Sequence, residues 1–230
     1  MPILCAIVLV LAGSPQAAAD CPAMADLAAD AVPLPHVQAA IRAGRLDILA
    51  VGAPNMVRGY PAQMVARLRA QQPGLSINLR LRTRRGMTVA GGAVTIRRGL
   101  VRRKAALVLW QTGTVEALDN VDPAGFQDRL AEVAADAAGQ GADLILIEPR
   151  FSRFLVTETD LQPYLDAMQT VALLPGVALF HRFELTQDWA DTPALDLDAA
   201  GTRARRLAVV HLLNVCVGRA LARMVIDGIR

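Results

Sequence analysis

Apolar and polar positions fall into blocks that switch between two periods. LDILAVG (46–52) is a continuous apolar run and reads as a buried strand. LSINLRLR (75–82) alternates with period two, as an edge or half-covered strand does, while AALVLWQ (105–111), ADLILIEP (142–149) and GVALFHRF (176–183) are further apolar runs of strand length. Helical spacing fills the gaps. PAQMVARLRAQQ (61–72) sets Met64 and Leu68 on one face and stops at Pro73-Gly74. Asp122 caps a helix with Pro123 in its first turn and Phe126, Leu130, Val133 and Ala137 behind it. Residues 159–173 form another helix, and Arg206 to Ile229 a long closing one. Five apolar strands separated by helices predict an α/β domain: three layers, α/β/α, around a five-stranded parallel doubly wound sheet with both faces covered.

Ahead of this domain, expected at 45–230, residues 20–44 read as a helical extension interrupted at Pro33 and Pro35. The first residues, MPILCAIVLVLAGSPQAAAD, carry an apolar run and the small residues Ala17-Ala18-Ala19, the pattern of a secretory signal cleaved after residue 19. That run is too short to span a bilayer, so no stable membrane span is expected. Removal of the signal takes Cys5 and leaves Cys21 and Cys216, which in an oxidising compartment tend to pair. The expected localisation is periplasmic or secreted, and two unpaired buried thiols are the alternative to the disulfide. Composition agrees with one globular domain: 230 residues, 53% apolar, 20% charged, 4% aromatic and a net charge of +3.

Several segments in order resemble the SGNH/GDSL hydrolase family: LAVG, a loop and YPA (49–62), RTRRGMT (82–88), LVLWQTGTVEAL (107–118), LILIEPRFS (144–152), and a histidine in VVHLLNVCVGRALA (209–222). The resemblance covers about 45–229 and implies an esterase or lipase fold. It also implies where the chemistry should be. The nucleophilic Ser falls at Pro54, the oxyanion Gly at Gly86, the oxyanion Asn at Val115 with Glu116 after it, the triad His at His211, and the triad Asp at Ala208. Gly86 and His211 are retained; Pro54, Val115 and Ala208 are degenerate.

Proline has neither a hydroxyl nor a backbone N–H, so Pro54 removes both the nucleophile and one oxyanion donor. Val115 removes the side-chain donor, and Ala208 leaves His211 without an orienting carboxylate, a loss of about 10⁴ in rate in the serine protease template. Thr112 and Thr114 are the substitute hydroxyls nearest the expected site, and Ser152 is a weaker one. Asn55, Arg84, Arg85 and Glu116 are expected to border the pocket and contact a ligand. His36 and His181 have weaker claims than His211. No metal spacing, Walker motif or dinucleotide fingerprint is present in the sequence, so neither a metal nor a cofactor is expected.

The segment Arg80 to Lys104 adds Arg82, Arg84, Arg85, Arg97, Arg98, Arg102 and Arg103 with no acidic residue between them. Such a face attracts anions, and outside the cytoplasm these are polysaccharide or lipid headgroups before nucleic acid. Its plain alternative is a solvated face paired with the acidic residues of 116–136. The sequence thus leaves three readings: a degenerate esterase that binds a carbohydrate, lipid or other anionic ligand, a rearranged hydrolase using His211 with Thr112 or Thr114, and an interaction protein working through its basic face. Whether the protein is an enzyme, and its oligomeric state, stay open.

Overall fold

The computed structural model describes residues 21–22 and 32–230. The expected signal segment and the helical reading of 23–31 lie outside the described residues. All five predicted strands are present: β1 (Arg45–Gly52), β2 (Ser76–Thr83), β3 (Leu107–Gln111), β4 (Asp143–Ile147) and β5 (Val177–Phe180). They form one parallel sheet in the order β2-β1-β3-β4-β5. This order reverses between β1 and β3, and in open α/β sheets the crevice at the carboxyl ends beside such a switch point is where ligands bind.

Helices cover both faces. On one side, α1 (Pro35–Arg42), α2 (Tyr60–Gln71) and the closing α9 (Arg203–Asp227) pack over Ile48, Ala50, Leu109 and Ile145. On the other, α3 (Val89–Arg102), α5 (Pro123–Gly139) and α7 (Gln162–Val171) pack over Leu49, Val51, Val108 and Leu146. β5, β1 from Ile48 onward, β3 up to Trp110 and β4 from Leu144 are apolar because both of their faces are buried; β2 alternates because it is an edge. Its arginines blunt that edge against pairing with another chain. Helix α1 belongs to this core: Leu34 and Val37 are buried, and the Val37 N–H donates to the buried Asp143 carboxylate at 2.8 Å.

Helix α9 is long and apolar enough to cross a membrane by length and composition alone. In the fold its apolar side lies against α2, with which it makes backbone-close contact: a Cβ on Gly218 would stand 2.8 Å from the Tyr60 carbonyl oxygen. The Asn214 side chain completes the junction by accepting the Tyr60 N–H at 3.0 Å at the start of α2.

Boundaries differ from expectation where local capping decides them. The fifth strand ends at Phe180 rather than 183, because a new helix, α8 (Arg182–Ala190), begins after His181, with Glu148 accepting the Phe183 N–H in its first turn at 3.0 Å. The helix expected at 159–173 is α7, and a short helix that the sequence pattern does not announce, α6 (Arg153–Glu158), precedes it. Helix α3 is not announced by the sequence pattern, since Gly91, Gly92 and Gly99 dilute its apolar period. A side chain at Gly92 would meet the Trp110 indole nitrogen at 2.6 Å, so a glycine there lets α3 close on β3.

Cys21 and Cys216 form a disulfide that closes a loop of 195 residues, from the first described residue to the middle of α9. Chain entropy puts the stabilisation from such a ring at about 5 kcal/mol. Cys21→Ser, which avoids cutting a hole at the fully buried Cys216, is expected to lower the unfolding free energy by up to about that amount. Urea denaturation of the two proteins side by side measures it.

Candidate functional site

A cleft of about 290 Å³ opens at the carboxyl edge of the sheet, beside the β1/β3 switch point. Four consecutive loops supply it: Ala53 and Asn55 after β1, Gly86 and Met87 after β2, Gln111 to Glu116 at the end of β3, and Arg150, Ser152, Phe154 and Leu155 after β4. The topology therefore brings together most of the expected positions, including Gly86, Thr112, Thr114, Val115 and Glu116.

The loop after β1 departs at Gly52. Its φ of +156° and the crowding that a Cβ would meet, Met56 Sδ at 2.8 Å and Gln111 Cβ at 2.9 Å, fit glycine alone. Ala53 is extended, as a residue before proline must be, and Pro54 opens a 3₁₀ turn (Pro54–Met56). Pro54 is exposed; Ala53 and Asn55 on either side of it reach the cleft. No hydroxyl stands on this loop.

Gly86 sits at φ +60°, in the left-handed region, and turns the β2 loop inward. The two arginines before it do not follow. Arg84 lies in a neighbouring groove with Arg82 and Arg98, its guanidinium over Gly91 of α3, and Arg85 is exposed without lining the cleft. The expectation that Arg84 and Arg85 border the cleft is corrected accordingly.

Glu116 is 1% exposed and its carboxylate is already committed. It accepts the Val89 N–H at the start of α3, the Gly113 N–H at 3.0 Å at the start of α4 (Thr114–Leu118), and the Thr112 hydroxyl at 3.4 Å. Gly113, at φ +94°, is the N-cap, and Glu116 in the third position of the helix supplies half of a capping box. Glu116 is thus a structural tie in the cleft wall more than a ligand contact. It also occupies the hydroxyl of Thr112, itself buried. Thr114 and Val115 line the cleft from the first turn of α4. Ser152 caps α6, its hydroxyl accepting the Leu155 N–H at 3.2 Å.

His211 does not join this group. It is exposed on α9, two turns into the helix, with Ala208 exposed one turn before it, and it is not among the cleft-lining residues. No imidazole is hydrogen-bonded to Thr112, Thr114 or Ser152 among the described residues. The histidine that does have a carboxylate partner is His181, at the end of β5. Its Nδ1 lies 3.2 Å from Glu148 Oε1, and Glu148 is buried at the end of β4. The hydrogen bond to Glu148 raises the His181 pKa above its ordinary 6.5, against burial, which lowers it. Sequence spacing does not reveal this pair, because 33 residues separate its members. The cue lay in the two strands ending side by side.

Among the described residues no cluster of His, Cys, Asp or Glu is suited to holding a metal. In the basic segment, Arg97 pairs with Asp136 and Glu132, as a solvated face predicts, whereas Arg80, Arg82, Arg98, Arg102 and Arg103 line a groove along the β2 edge.

Two expected outcomes follow from these contacts. Glu116→Ala strips an acceptor from three donors and should cost about 3 kcal/mol or more, with Glu116→Gln milder because it keeps one acceptor; chemical denaturation reads both. The raised His181 pKa means that its stabilisation is complete below 6.5 and is lost as pH rises through the folded value. Its ring is 41% exposed, which holds the effect under about 1 kcal/mol. Glu148→Gln should therefore reduce the stability lost between about pH 6 and about pH 8 relative to the unsubstituted protein, in urea titrations at each pH.

Similarity to known proteins agrees with this geometry. Residues 20–230 match the Non-GDSL lipase-like family. No curated protein matches the sequence. Among solved structures, TesA superposes with a TM-score of 0.54 at 22% identity, covering 71% of this chain and 93% of its own. LAE5, an alpha/beta hydrolase enzyme from the metagenome of Lake Arreo, Spain, gives 0.58 at 18% identity, over 75% and 95% of the two chains. The H194A catalytic mutant of Axe2, an acetylxylan esterase from Geobacillus stearothermophilus, gives 0.64 at 15% identity, over 78% and 94%. The chain belongs to the Non-GDSL lipase-like family and has the fold of the SGNH/GDSL-type hydrolases.

Proposed function

We propose that this protein is an exported SGNH-type domain that holds a ligand in the old esterase cleft without cleaving it. One observation carries the reading: among the described residues no hydroxyl in the cleft is paired with an imidazole. The loop after β1 presents Ala53, Pro54 and Asn55, the Thr112 hydroxyl is bound to Glu116, and His211 stands outside the cleft. Acyl transfer needs an activated nucleophile and donors aimed at the developing oxyanion, and these residues supply neither set complete. The ligand class suggested by the solved relatives, one of them an acetylxylan esterase, is an acyl- or acetyl-bearing carbohydrate or a lipid. The signal-like N-terminus and the Cys21–Cys216 bond support an oxidising compartment.

A second reading rests on the Glu148–His181 pair. A carboxylate that orients an imidazole is the arrangement of a general base, and a hydrolase rebuilt around it would be active despite Pro54. The two readings separate in one assay. Short-chain p-nitrophenyl esters should be hydrolysed no faster than background, and a fluorophosphonate probe should leave no adduct by mass spectrometry. Turnover abolished by His181→Ala or His211→Ala would overturn the non-catalytic reading and identify the base.

A further inference from the structure

Helix α3 sorts its arginines by side. Arg97 is on the side of α5, where it pairs with Glu132 and Asp136. Arg98 and Arg102 are on the side of the β2 edge, where Arg80 and Arg82, two residues apart on one face of the strand, stand across from them. Arg84 extends the row on the loop after β2, and Arg103 closes its far end. Among the described residues none of these six arginines forms an ion pair.

The row encloses a groove in two stretches. One, of about 630 Å³, holds Arg82, Arg84 and Arg98; the other, of about 520 Å³, holds Arg80, Arg102 and Arg103, with Gly99 of α3 set against Leu49. The stretches share Arg82, Thr95 and Arg98, and the first shares Met87 with the cleft, so three concavities adjoin in series. From Gly91 to Arg102 alone, the helix rises about 16 Å. Glu116 is the single acid among the residues lining the series, and its oxygens are already taken by the Val89 and Gly113 N–H groups and by Thr112. Asp47, the one acid that acts on Arg80, is held by Arg45 at 2.7 Å and by Asn78 at 2.8 Å. The positive charge of the groove is therefore left uncompensated, and its members repel one another. Burial first, then Arg103 and Arg82, lowers the Arg80 pKa.

We propose that this groove binds a linear acidic polysaccharide, laid lengthwise along α3. Its length and its row of separate charges match a polymer whose charges repeat, not a single small anion. Its recessed shape suits a strand of sugars better than the flat surface of a bilayer. No aromatic ring lines either stretch, so the stacking platform on which single-stranded nucleic acid depends is missing. Carboxylates borne on successive sugars fit the guanidinium fork. The groove is a second site beside the cleft, and its occupancy does not depend on whether the cleft cleaves esters.

Isothermal titration calorimetry of the full chain tests this with hexagalacturonate, digalacturonate, the uncharged xylohexaose and a thymidine hexanucleotide, alongside co-sedimentation with phosphatidylglycerol vesicles. Hexagalacturonate should bind, with an affinity that falls about tenfold or more between about 50 and about 200 mM salt as counterions are released. Digalacturonate should bind at least tenfold more weakly, and xylohexaose not at all. The double variant Arg98→Gln, Arg102→Gln should weaken hexagalacturonate at least tenfold without changing the melting temperature, since both side chains are exposed. Arg97→Gln removes the same kind of charge from the other side of the same helix and should leave the affinity unchanged. Absence of heat with hexagalacturonate at millimolar concentration, equal binding of digalacturonate, or equal losses in the Arg97 and Arg98/Arg102 variants would overturn the proposal. So would tighter binding of the hexanucleotide or of the vesicles. Turnover of p-nitrophenyl esters would sink the non-catalytic reading of the cleft and leave the groove standing; loss of the groove leaves that reading untouched.

Discussion

Glu116 takes the first N–H of α3 from one loop and the N–H of Gly113 from the next, and so ties the β2–α3 and β3–α4 loops to each other at the carboxyl edge of the sheet. A negative charge at the starts of two helices complements both of their dipoles, and its hydrogen bonds are of the stronger, charge-assisted kind. The walls of the cleft are therefore set by a contact that needs no catalytic residue. That independence explains how the cleft can keep its shape with Pro54, Val115 and Ala208 in place of the residues that the SGNH resemblance implies.

The substitutions at the chemical positions are also locally comfortable. Pro54 is suited to the first position of a short turn, where its missing N–H has no partner to lose. Val115 is half-buried in the cleft wall on α4, and Ala208 is exposed on α9. The strong constraints lie instead where backbones approach closely: Gly52 against Gln111, Gly92 against Trp110, Gly218 against α2. The residues that hold the fold and the positions to which the resemblance assigns the chemistry are thus different sets.

Much of the fold was legible because burial on both faces writes an unbroken apolar run, which is how β1, β3, β4 and β5 announce themselves. Helices α3 and α8 were harder. The first mixes glycines into its apolar face, and the second starts from residues whose apolar neighbours continue a strand. The site was legible only by resemblance. Gly86 and the 112–116 turn do line one cleft, whereas His211, matched only by order along the chain, is turned to solvent by helix packing. Glu148 and His181 are a long-range pair; each member looks ordinary until the sheet order sets the strand ends side by side.

The Cys21–Cys216 ring joins one of the earliest segments to one of the last. It can close only after the ribosome has delivered the middle of α9 and that helix has found its seat on α2. Oxidation of this pair is thus a record of how far synthesis has gone: a polypeptide halted anywhere before residue 216 lacks the partner of Cys21, while one with α9 docked holds both sulfurs in the bond. A covalent bond at this place lets a cell's thiol chemistry distinguish whole molecules from fragments.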